Sequence, residues 1–372
     1  MIGRFLPILV TLALGVALAP ACQRSPEQRP VPELSELIAD LSGPAGFFDT
    51  DNIISNETSY LQVVDRLEPM GGAFIGVGPE QNFTYIARVR PEWAFIVDVR
   101  RENMLQHLML NAILQNATTP FEYLCWLFSR RVDTQAEREI PGGLDGDLEG
   151  LIATVESMPP DEEVFARNLN AIVSHIEDKL HVPLSETDLG HIRFVYRTLF
   201  NEQLDIRFRT FGRRARPYHP DYRSLLLSRS PNGARSHFLD SADDYRFVRE
   251  LATGGRLVPV VGNFAGAHAL RAVGDFLRER GQTVSAFYVS NVEFYLLRAG
   301  SFGDYVENVR SLPLREDSLF IRVYFDYGDA HPAGLPGHRS TTILQGILRF
   351  LDLYDSGAYH NYWEISTIDY LP

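Results

Sequence analysis

Between Ala73 and Asp98 apolar and polar positions follow one another in an ordered way. A short apolar run, AFIGV, ends in a glycine turn at Gly76–Gly78. From Gln81 to Val89 the apolar residues Phe83, Ile86, Ala87 and Val89 recur at helical spacing, with Pro79 where a helix would begin and Arg90–Pro91 closing the segment. A second apolar run, Trp93–Val97, ends in Asp98. The pattern predicts strand, turn, helix, strand. It returns from Leu257: LVPVV reads as a buried strand, Gly262–Gly266 as a turn, and the following stretch as an amphipathic helix ending at Gly281. TVSAFYVS and SLFIRVYFDYGD add two further strands with helical residues between them. Alternation of this kind implies an α/β fold with a mainly parallel sheet flanked by helices. No strand pattern interrupts residues 103–205, where helical periodicity runs through Asn103–Gln115, Pro120–Arg130, Asp161–Lys179 and Ser185–Asn201. We read that stretch as a large helical insertion over the open end of the sheet.

The N-terminus has a different character. Arg4 precedes an apolar stretch from Phe5 to Ala21, and Cys22 follows Ala19, Pro20 and Ala21. The arrangement is that of a bacterial lipoprotein signal over residues 1–22 with lipidation on Cys22; an uncleaved membrane anchor is the alternative. The polar, proline-containing chain over 23–49 then reads as a tether, and the folded domain as 50–372. This predicts an envelope protein held to a membrane through its N-terminal lipid. A formal net charge of −13 argues against nucleic acid as a partner, since such a surface needs a basic stripe to displace counterions. Cys125, the only other cysteine, lies in the apolar run YLCWLF and reads as a core residue.

The glycine turn carries the chemistry. Asp98 falls twenty residues after Gly78, the distance at which a βαβ nucleotide fold places the carboxylate that accepts from ribose hydroxyls. Gln81 fills the slot of a third glycine and Glu80 lies in the first helical turn, where a carboxylate repels phosphate but suits a ligand with positive charge, such as S-adenosylmethionine. On Gly76, Gly78, Asp98 and the segment VDVRRENM, the region resembles the S-adenosylmethionine-dependent methyltransferases of the Rossmann-like class. The chain is also similar to an uncharacterised group of bacterial lipoprotein-type proteins carrying SNETSY, GGAFIGVGPEQNF and VVGNFAG segments. The resemblance implies a methyltransferase-like sheet, S-adenosylmethionine as donor, and a catalytic role for Asn263 and Phe264, which stand where that family carries its strand-four motif.

Further candidates line the expected sheet end. Glu57 and Tyr60, on the chain entering the first strand, are second-rank donor contacts; a capped helix near Ser55 explains the same letters. Asn291 and Glu293 are candidates for polar ligand groups. Arg213 and Arg214 sit in RFRTFGRRARPYHPDYR, a run with six arginines that suits a carboxylate, a phosphate or a lipid head group, or else pairs with the acidic excess. Asp326, Asp329, His331 and His338 share one polar loop whose spacing matches no strong metal signature, so no metal is expected. Three readings stay open: a methyltransferase of unspecified acceptor, an exported lipoprotein that uses the same cleft for non-catalytic small-molecule binding, and a structural lipoprotein.

Overall fold

In the computed structural model, which describes residues 3, 30–132, 146–211, 216, 218–326 and 328–371, the apolar runs become the middle of one sheet. Strands β1 (Ala73–Gly76), β2 (Trp93–Asp98) and β3 (Leu257–Val261) are buried along their whole length, as expected of strands covered on both faces. They are joined by β4 (Val284–Ser290), the longer β5 (Leu314–Phe325) and β6 (Ser340–Gly346). The order across the sheet is β3-β2-β1-β4-β5-β6. Neighbours from β3 through β5 run parallel, and β6 runs antiparallel to β5. Pro259 pairs with Ile96 on the edge strand β3, where a missing N–H costs no second ladder.

Helices cover both faces. They are α1 (Leu34–Leu41), α2 (Asn82–Val89), α3 (Arg101–Asn116), α4 (Pro120–Leu127), α5 (Leu148–Ser157), α6 (Glu162–Ser174), α7 (Glu186–Glu202), α8 (Tyr222–Leu226), α9 (Ala242–Thr253), α10 (Ala269–Glu279), α11 (Val292–Ala299), α12 (Phe302–Arg310), α13 (Ile347–Asp355) and α14 (Tyr362–Thr367). Helix α3 is buried from Asn103 to Leu114 because it lies between the sheet and the helices that follow it. The SETD signal is a true capping box: Ser185 Oγ accepts from the Asp188 N–H and the Asp188 carboxylate from the Ser185 N–H.

Two boundaries differ from the sequence reading. The helical stretch between β2 and β3 extends to Thr253, because α8 and α9 continue it past residue 205. The tether expected over 23–49 gives way at Leu34 to α1, whose Leu34, Leu37, Ile38 and Leu41 are buried. Ser42 Oγ and the Gly43 N–H then bond Val261, so the chain after α1 covers the β3 edge. From Val31 onward the described residues form one compact unit.

Candidate functional site

All five parallel strands point their carboxyl ends at one cavity of about 870 Å³. Gly78 follows β1, Asp98 ends β2, Asn263 follows β3, Ser290 ends β4, and Asp326 follows β5; each lines it. The order reverses between β1 and β4, the position at which open α/β sheets bind ligands. Its size is that of a small-molecule site, roughly 300–1,000 Å³.

The glycine turn is fixed from both sides. A Cβ on Gly76 would stand 2.0 Å from Asn82 Oδ1 at the start of α2, so strand and helix approach only over a glycine. Gly78 adopts φ +81°, a left-handed backbone that favours glycine. Its carbonyl accepts from Asn103 Nδ2 at 2.9 Å and from His107 Nε2 at 2.8 Å, both on α3. Burial pushes His107 down to about 4, so the ring is neutral at pH 7 and carries its proton on Nε2.

Asp98 is already engaged. Its Oδ1 accepts from the Arg100 N–H at 2.9 Å and from Arg100 Nε at 3.1 Å, and Oδ2 accepts from Arg100 Nη2 at 3.0 Å. The other arm of that guanidinium, Nη1, reaches the carbonyls of Thr50 and Asp51 and draws the N-terminal segment over the end of β2. A carboxylate offers about four acceptor positions, so three occupied bonds leave one on Oδ2 for a ligand.

Glu57 is the second carboxylate on the cavity wall and it is nearly inaccessible, at 2% exposure. Gln81 Nε2 and the Tyr288 hydroxyl each donate to Oε2 at 2.6 Å, and the Ser290 hydroxyl donates to Oε1. Burial raises its pKa against the opposing pull of these donors. Ser290 holds this position with φ +51°, unusual for a residue with a side chain, at the end of β4. The chain near Ser55 is a turn rather than a capped helix; Ser55 Oγ accepts the Glu57 N–H at 3.0 Å and presents Glu57 to the cavity.

Gly78, Asp98, Glu57, Asn263, Phe264 and Asn291 all line this cavity. Others do not. Glu80 turns away: its carboxylate accepts from the Tyr123 hydroxyl at 2.7 Å and from the Tyr222 hydroxyl, because α4 and α8 supply two donors to a group that burial would otherwise leave unsatisfied. Tyr60 donates to the Leu225 carbonyl at 2.7 Å in the core. Glu293 is wholly buried and bonds Arg322 Nη2 at 3.0 Å and the Tyr305 hydroxyl at 3.1 Å, a pair that ties α11 to β5 and α12. Gly76 lies behind the turn.

Asn263 and Phe264 stand at a different strand from the one expected. VVGNFAG follows the third strand, on the sheet edge, because the helical stretch after β2 contributes no strand to the count. Asn263 Oδ1 accepts from the Ala265 N–H at 2.9 Å and closes that turn. The fourth strand ends at Ser290, and Asn291 follows it at the start of α11.

Arg213, Arg214 and Cys22 lie outside the described residues. Of the remaining arginines in that run, Arg207 pairs with Asp221 at 2.8 Å, Arg209 with Glu202 and Arg223 with Glu156, so much of the cluster is spent on internal pairs. His331 uses both ring nitrogens on backbone, accepting from the Ala333 N–H and donating to the Ser366 carbonyl. Among the described residues no three His, Cys, Asp or Glu side chains converge as metal ligands. The sequence reading missed Arg100, Tyr288 and Ser290. Arg100 was visible two positions after Asp98; Tyr288 and Ser290 needed the strand end to be located.

The pattern of a protein family described as a domain of unknown function, DUF7790, matches residues 52–343. The chain belongs to this family. No curated protein matches it. The DUF7790 span takes in Glu57, the glycine turn, Asp98, Asn263, Ser290 and Arg339, and ends inside β6.

Proposed function

We propose that the cavity binds an adenosine-derived methyl donor, S-adenosylmethionine or its demethylated product, on a methyltransferase-like variant of the doubly wound sheet. The strand order matches that of dinucleotide-binding sheets, with the last strand reversed. The observation that carries the reading is the pairing of two carboxylates across one glycine turn, Asp98 with one acceptor position remaining and Glu57 buried on the cavity wall.

The residues present fit such a group. Gly78 allows close backbone approach, Asp98 Oδ2 would accept from one ribose hydroxyl, and Glu57 would face the ammonium of the amino-acid end. Bound there, the donor supplies a methyl group on cationic sulfur. Glu57 answers positive charge in a water-poor setting where its attraction is little screened. Gln81, Tyr288 and Ser290 hold that carboxylate in place, and Arg100 orients Asp98. Asn263 lies beyond Asp98 on the β3 side, and the β4–β5 end of the cavity is left for an acceptor.

A second reading, non-catalytic binding in the same cavity, is favoured by the Arg100 fork, which occupies most of Asp98. Thermal denaturation of the whole chain tests the shared part of both: S-adenosylmethionine and S-adenosylhomocysteine should each raise the midpoint, by the equivalent of about 2.7 kcal/mol at a hundredfold excess over Kd, whereas NAD should not. No shift with either adenosyl compound would remove the donor from both readings. Transfer of a labelled methyl group into membrane or cytoplasmic extract separates them.

A further inference from the structure

The β4–β5 end of the cavity differs in chemistry from the end beneath Gly78 and Asp98. Tyr295 on α11 packs edge-on against Phe48, with ring centroids 4.8 Å apart, and against Phe294 at 5.3 Å. Arg298 lies over the Phe294 ring at 5.4 Å and Arg339 over the Tyr218 ring at 4.5 Å. All of these residues line the cavity, and Arg298 and Arg339 are exposed at its rim. Among the described residues neither guanidinium has an ion-pair partner, although the chain carries a net charge of −13. Two acids also line the cavity here, Asp326 exposed on the rim and Asp49 half-buried beside Phe48.

Large apolar side chains are also left open here. Phe47 is 80% exposed, Tyr218 43% and Tyr295 39%, and all three line the cavity. Exposed apolar surface gathered at the entrance of a cavity marks a binding surface, whereas single exposed residues need no explanation. Rings that can stack or pack, with cations above two of them, suit a molecule that brings both an apolar body and a negative charge.

We infer that this end of the cavity is a subsite for an amphiphilic organic anion, with its apolar body against Phe48, Phe294 and Tyr295 and its carboxylate or phosphate between Arg298 and Arg339. The arginines supply charge-assisted bonds in the planar geometry such groups accept. The inference goes beyond the adenosyl reading and does not depend on it, because none of these residues belongs to the glycine turn or its carboxylates.

Calorimetric titration of the whole chain with decanoate, decyl phosphate, decyltrimethylammonium and decanol, each below its micelle concentration and with no adenosyl compound present, tests it. Decanoate and decyl phosphate should bind at one site, at least tenfold more tightly than decyltrimethylammonium or decanol. Arg298→Glu and Arg339→Glu should each weaken both anions about tenfold, the loss of one charge-assisted bond. Arg193→Glu, an exposed arginine on α7 outside the cavity lining, should leave them unchanged. Equal binding of all four compounds, or anion binding indifferent to both reversals, would overturn the subsite. So would binding to phosphatidylglycerol vesicles with none to either free anion, since the surface would then be reading a membrane. A failed adenosyl titration beside successful anion binding would leave this subsite standing.

Discussion

Glu57 shows how a residue becomes a candidate through its surroundings. In sequence it is one acid in SNETSY, equally consistent with a helix start. In the fold, three donors on α2's approach and β4 aim at it, from Gln81, Tyr288 and Ser290. Donors of this kind satisfy any buried carboxylate, as Tyr123 and Tyr222 do for Glu80; what sets Glu57 apart is its place in the cavity lining. If it answers the ammonium of the ligand, Glu57→Gln should weaken S-adenosylmethionine and S-adenosylhomocysteine alike, by about 1.5–3 kcal/mol, and leave adenosine unchanged. Titration calorimetry of the three ligands checks this, and an equal loss for adenosine would place the effect elsewhere. Affinity for the two amino-acid-bearing ligands should also fall with pH: as the medium drops through the raised pKa, the carboxyl protonates and its attraction for a cation is lost. Asp98 teaches the complementary lesson. Its distance from Gly78 was readable, but its engagement by Arg100 was not, because a spacing says nothing about which donor turns back onto a carboxylate.

At the level of elements, what was legible is what has sharp ends. β1, β2 and β3 each pair an apolar run with a glycine turn or an acid, and all three were readable from that contrast. β6 and α13 were not, since STTILQGILRF runs from strand to helix with only Gly346 between them, where it ends one element and caps the next. The helix α8 escaped because its five residues are too few to show a period, and α9 was passed over although its apolar positions do recur at helical spacing. Packing between elements is less legible still, as the hold of α3 on the glycine turn illustrates. His107 keeps a neutral ring on the Gly78 carbonyl, and its pKa is pushed from 6.5 down to about 4 by burial. The unfolded chain therefore binds a proton there that the folded chain refuses. Stability from this group is complete above about pH 6.5 and declines as pH falls towards 4, by about 3 kcal/mol in all. His107→Gln can donate to the same carbonyl without titrating. Denaturant unfolding at pH 7 and pH 4.5 should accordingly show a smaller pH difference for the variant than for the parent chain. His237, lowered to about 3, contributes with the same sign and remains in both. An unaltered pH difference would mean that other groups govern it.

For the whole molecule, the unsettled relation is between the cavity and the compartment that holds it. Among the described residues no helix is long and apolar enough to cross a membrane. We propose that attachment comes from the N-terminal stretch Phe5–Ala21 and a lipid on Cys22, on the sequence alone, since these residues lie outside the described ones. Mass measurement of the protein extracted from membranes should then find a chain that begins at a modified Cys22, and Cys22→Ser should leave an uncut precursor with Met1 in place. The outcome bears on the chemistry as well as on the address. A methyl donor is made in the cytoplasm, so a chain exported and lipidated at Cys22 meets its cavity's ligand outside the supply of that donor, and non-catalytic binding becomes the stronger form of the function proposed here. An intact Met1 on a cytoplasm-facing domain would reverse that weighting, because the carboxylates Asp98 and Glu57 would then stand where an adenosyl donor is replenished and turnover can be sustained.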